Sequence, residues 1–155
     1  MSIPAPTVRR TGISPKRKDS SVKYLCLANY RPADMAAMSP ADRQALVSQC
    51  PAKDAELKAT GQLRLSASLG SDKDVIRLEP RGGRTQVTDG PFVETKELVG
   101  GFFMIEAASR EEAIRLASLH PAATLGEQAG WRIEMHPVGF FEQYFEKDAG
   151  QETKA

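Results

Sequence analysis

The chain has 155 residues, 41% of them hydrophobic, and a formal charge of +1. That length suits one domain with a real core. No apolar run approaches the roughly 20 residues a membrane span needs, and two isolated cysteines without CxxC spacing fit a reducing cytoplasm. The near-neutral total hides an asymmetry: Arg9, Arg10, Lys16, Arg17 and Lys18 crowd the start and leave the body mildly acidic. A folded body of that charge is not a nucleic-acid binder, because phosphate binding needs cations clustered on one face.

Residues 1–21 carry three prolines, little apolar content and no periodicity, so they are expected to be a disordered basic extension. The Arg9-Arg10 pair is not expected to be an export signal, since the apolar run after it, "YLCLA", is too short for a signal peptide. Residues 22–147 are expected to form the folded domain, and residues 148–155 a disordered tail.

"VKYLCLANY", 22–30, reads as a first strand with apolar residues on both faces. The stretch 39–61 carries helix signals: Ser39 as N-cap, Pro40 at the first helical position and Gly61 as terminator, with Pro51 splitting it in two. Residues 63–69 give a second strand. "DVIRLEPRGGRTQVTDG" predicts a hairpin turning at Gly82-Gly83. "GGFFMIEAA", 100–108, is again apolar on both faces, and Ser109 with Glu112 forms a capping box that starts a helix ended by Pro121. The last strand, 131–138, is two-faced, with Trp131, Ile133 and Met135 opposing Arg132, Glu134 and His136.

This order predicts an α+β fold: a ferredoxin-like βαββαβ sheet with an inserted hairpin and both helices on one side. Two strands that are apolar on both faces then leave the other face in need of a cover. The economical cover is a second copy, so a homodimer with sheets packed face to face is expected, the aromatics of "GFFEQYFE" reaching across the interface.

Between the hairpin and the third core strand runs "TDGPFVETKELVGG". Asp89 either caps the Thr-Asp-Gly-Pro turn or points into a cleft as an acid, base or polar anchor. Phe92 reads as an apolar plug, and Gly100-Gly101 as a bulge or a close backbone approach. Glu94, Lys96 and Glu97 are either a solvated face or the rim of a pocket. Arg132, Glu134 and His136 are either ordinary protection of an edge strand or, with Tyr24 and Glu106 on neighbouring strands, the lining of a polar pocket. His120 is read as a cation in a last helical turn, favouring the helix dipole. Two histidines and two unrelated cysteines make no metal-ligand constellation, so no metal is expected. No nucleotide motif or serine-nucleophile motif is present, so no cofactor is expected either.

The stretches "VKYLCL", "AELKATGQL", "VTDGPFVETKELVGGFFMIEA", "EEAIRLA" and "IEMHP" together resemble the YCII-related (DGPF, YciI-like) family of small bacterial proteins. The resemblance implies a dimeric α+β barrel. Because relatives commonly begin with methionine where this chain has Val22, it also implies a translation start at Val22, which intact mass of the native protein would test. In the YciI branch, a histidine on the first helix pairs with an aspartate before a proline at the end of the second. Here the first helix has no histidine and the pre-proline position holds His120, so that chemistry does not carry over. Relatives also end "EVRP", so His136 replaces an arginine.

The absent helix histidine points to a small-molecule-binding or regulatory module without a complete catalytic set, and the resemblance, through the family's association with extracytoplasmic-function sigma factors, implies the regulatory setting. The resemblance to the YciI branch keeps an alternative open, an acid–base enzyme of isomerase or lyase type acting on a small cyclic or aromatic compound. In that case Asp89 and His136 form the acid–base pair, Glu134 orients the imidazole, and Lys96 or Arg132 holds an anion.

Overall fold

Turn and cap chemistry sets most element boundaries. The computed structural model describes Thr7–Arg9 and residues 20–90 and 96–145. Its strands are β1 (Thr7–Arg9), β2 (Val22–Tyr30), β3 (Leu63–Ser68), β4 (Ile76–Arg81), β5 (Arg84–Asp89), β6 (Leu98–Ala107), β7 (Arg132–Pro137) and β8 (Gln143–Phe145). Its helices are α1 (Pro32–Ala37), α2 (Pro40–Ser48), α3 (Cys50–Ala59), α4 (Arg110–Ala117) and α5 (Pro121–Thr124).

The Asp42 N–H donates to Ser39 Oγ at 3.1 Å, which caps α2, and Pro51 obliges the helical run to restart as α3. At α4 the Glu112 N–H donates to Ser109 Oγ at 3.1 Å, while the Glu112 carboxylate accepts the Ala108 N–H at 2.7 Å. The capping box therefore closes one residue upstream of its usual return point. Helix α1 has no counterpart in the sequence pattern. The β4–β5 hairpin turns on Gly82 and Gly83 at φ +58° and +74°, which only a two-residue loop of positive φ reconciles with strand twist.

Four strands form one antiparallel sheet in the order β3-β6-β2-β7, with β4–β5 and β1–β8 as separate two-stranded ribbons. The fold is α+β, and this order is compatible with the ferredoxin-like arrangement. Of the segment expected to lack structure, Thr7–Arg9 pairs with Gln143–Phe145. The chain beyond Phe145, including the expected tail, lies outside the described residues, as does Phe92.

One face of the sheet is covered by α3 and α4. Cys26 on β2 and Phe103, Ile105 and Ala107 on β6 pack there against Leu57 of α3 and Ala113, Leu116 and Ala117 of α4, with Tyr24, Ile133 and Met135 at the margin. The opposite face carries Leu25 and Leu27 of β2 beside Phe102 and Met104 of β6. Along β7 it carries His136 opposite Leu25 and Glu134 opposite Leu27. Leu25, Leu27 and Phe102 are only half-buried.

The glycines at the start of β6 serve both roles expected of them. The register passes from Ala28–Gly101 to Asn29–Val99, so Gly100 is the extra residue of a bulge. A Cβ on Gly101 would lie 2.8 Å from the Ala67 carbonyl oxygen, so only glycine lets β3 and β6 approach as they do.

Candidate functional site

On the helix-covered side a cavity of about 450 Å³ lies between the ends of β2, β3 and β6 and helices α1, α3 and α5. Its walls include Tyr30, Met35, Cys50, Asp54, His120 and Trp131. Asp54 and His120 each arrive there by a definite local rule. Asp54 lies four residues after Cys50 and three before the buried Leu57 on α3, so all three share the inward face. His120 sits between α4 and α5, where Pro121 forbids continuation of the first helix and opens the second.

His120 is therefore the N-cap of α5 and not a cation in the last turn of α4. Its Nδ1 accepts the Ala122 N–H at 3.1 Å. An acceptor Nδ1 places the proton of the neutral ring on Nε2. The ring stacks on Phe103, centroids 4.5 Å apart and planes within 6°. Burial pushes its pKa below the ordinary 6.5, and the Asp54 charge works in the opposite direction without cancelling the shift. The imidazole is accordingly neutral at pH 7, with Nε2–H as a donor. No hydrogen bond or ion pair among the described residues joins it to Asp54. No buried side-chain nitrogen or oxygen among them lacks a partner, so Nε2 must reach open space.

The two thiols are not nucleophiles in this setting. Burial pushes Cys26 up to about 12, and burial followed by the Asp54 charge raises Cys50, which lines the cavity.

The residues expected to form a site are placed as follows. Tyr24 packs against the core on the helix-covered face, across the sheet from Arg132, Glu134 and His136. Glu134 and His136 do meet, at 3.4 Å, on the edge strand β7 and largely in solvent. Asp89 lies exposed at the end of the β4–β5 ribbon, opposite Ile76, on a different sheet from His136. Glu97 and Arg132 come together in a bidentate ion pair beside a second cavity of about 380 Å³, which Arg31 and Glu127 also border. Lys96 is exposed, and Glu94 lies outside the described residues. Glu106 is tied up structurally, its pKa lowered first by the Ser21 hydroxyl and then by Arg64. Among the described residues no group of three His, Cys, Asp or Glu side chains could hold a metal ion, and no helix is long and apolar enough to cross a membrane.

The pair that sequence reasoning missed is Asp54 with His120. Its signal was the helical spacing of Asp54 to Cys50 and Leu57, which puts a carboxylate on the inward face of α3. The carboxylate comes from α3 and the imidazole from the residue before Pro121.

An antiparallel four-stranded sheet with helices on one face places the chain in the α+β class. Within that class the match is specific: the model of the YCII-related domain covers residues 22–134, and the chain belongs to that family. The chain is also 42% identical over 57 residues to an uncharacterized protein, R00369, of Rhizobium meliloti (strain 1021). That match covers 37% of this chain and 46% of the relative, so the chain spans under half of that protein's length.

Proposed function

We propose that this YCII-family protein binds a small molecule in the helix-side cavity and that Asp54 and His120 act there as an acid–base pair. The observation that carries the reading is their convergence on one cavity, with Nε2–H of His120 unengaged. Asp54 suits the base: it can take a proton from carbon or oxygen next to a carbonyl. His120, neutral and held by its cap and its stack, suits the donor to that carbonyl oxygen. Return of the proton to a different carbon would isomerise the compound, in line with the cyclic or aromatic substrates that the resemblance to the YciI branch implies. The same cavity without turnover would serve a binding or regulatory module.

The functional unit in this reading is a homodimer in a reducing cytoplasm, with a second copy covering the open sheet face as in a dimeric α+β barrel. The half-buried Leu25, Leu27 and Phe102 support it. The Asp89 and His136 alternative is less favoured, because the two lie on different sheets and His136 is more than half exposed.

A fragment screen read by amide chemical shifts tests the site. Hits should cluster at residues 28–30, 100–101 and 120–122. Clustering at residues 132–136 would move the site to the edge strand and sink this reading.

A further inference from the structure

The cavity's polar groups select a ligand by charge. Among the described residues its lining contains one carboxylate, Asp54, and no lysine or arginine. A second carboxylate, Asp72, lies close enough to act on the Tyr30 hydroxyl at its wall. An anion entering here would meet negative charge with no cation to offset its desolvation, and burying an unpaired charge is costly. A cation would be drawn to Asp54, but its donors would face the Nε2–H of His120, which has nothing to accept with while Nδ1 holds the Ala122 N–H. Asn29, Ser66, Ser68 and Tyr30 can each donate or accept, so the two groups of fixed sense, the His120 donor and the Asp54 acceptor, call for the complementary pair on an uncharged molecule. The apolar part of the wall, Tyr30, Met35, Leu69, Pro121 and Trp131, suits a flat body.

Resting on the reading of Asp54 and His120 as the site, we infer that the cavity's ligand is an uncharged, planar small molecule whose edge carries a carbonyl-type acceptor beside a hydrogen-bond donor. The carbonyl meets His120 Nε2–H and the donor meets Asp54. Carboxylates and phosphates are excluded, which sets this cavity apart from the edge-strand site expected from sequence, where Lys96 or Arg132 would hold an anion.

Three isosteres of one shape test this on the full chain: benzamide, benzoate and benzamidinium, titrated separately with amide shifts at residues 28–30, 100–101 and 120–122 as the readout. Benzamide should bind about tenfold or more tightly than either charged probe, the scale of one mismatched buried hydrogen bond. Asp54→Asn, which keeps the shape, should abolish the discrimination against benzoate. His120→Asn keeps a capping oxygen for Ala122 and should weaken benzamide while leaving the fold intact. Benzoate or benzamidinium binding within about threefold of benzamide would overturn the inference. If none of the three perturbs the cavity, both the ligand class and the site fall. Should the selectivity appear while Asp54→Asn leaves the His120 titration unmoved, the ligand class stands and the acid–base reading alone fails.

Discussion

The two faces of the central sheet are built from the same two strands and end in different circumstances. On one, Cys26, Phe103 and Ile105 are wholly excluded from water beneath α3 and α4. On the other, Leu25, Leu27 and Phe102 are comparably apolar but only half-covered, with Leu65 40% exposed beside them. Adjacent residues of one strand thus do different jobs: Phe103 fixes a core and supports the His120 ring, while Phe102, one position earlier, presents a surface. Only the covered face can hold a neutral imidazole at a cavity wall, because only there is water sufficiently excluded.

The largest expected effect comes from the closed face. Phe103→Ala removes a fully buried ring and the stack under His120, and should cost about 3–5 kcal/mol in urea unfolding. Phe102→Asp, on the open face, should act on association instead. Sedimentation should show a dimer for the parent and a monomer for the variant, a loss of about 2 kcal/mol or more of association energy, with the circular dichroism of the sheet retained. A parent chain that sediments as a monomer, or a variant that remains dimeric, would break the comparison.

A smaller effect is a limb in the pH dependence of stability. The folded pKa of His120 lies below the unfolded 6.5, so the unfolded chain takes up the proton first. Stability is whole above about 6.5 and declines as pH falls from there toward the folded value. Glu112, held low first by the Gln62 side chain and then by the Ala108 N–H, and Glu106, held low by Ser21 and Arg64, contribute stability above their ordinary 4.5 and lose it at lower pH. The interval between these ranges isolates the histidine, and His120→Asn should flatten it in urea titrations.

Much of the fold was legible because its boundaries are written in residues with few conformational options. Ser39-Pro40, Pro51, Gly82-Gly83 and the Ser109–Glu112 box each landed where capping and turn chemistry put them. Helix α1 was not legible, since its six residues follow no apolar period and contribute no buried side chain. The sequence showed that β7 alternates, and Glu134 and His136 do meet. It did not show that Tyr24 belongs to the opposite face, because β2 is apolar on both sides and alternation there cannot say which side the helices cover. The cavity was harder still. Asp54 and His120 stand 66 positions apart, so their meeting depends on how α3 and α5 seat on the sheet.

The most direct measurement is nitrogen-15 NMR of the His120 ring through a pH titration, in the parent chain and in Asp54→Asn. The expected result is an Nε2–H tautomer at neutral pH, a pKa below 6.5, and a further fall when the Asp54 charge is removed. An Nδ1–H tautomer, or a pKa indifferent to Asp54→Asn, would contradict it.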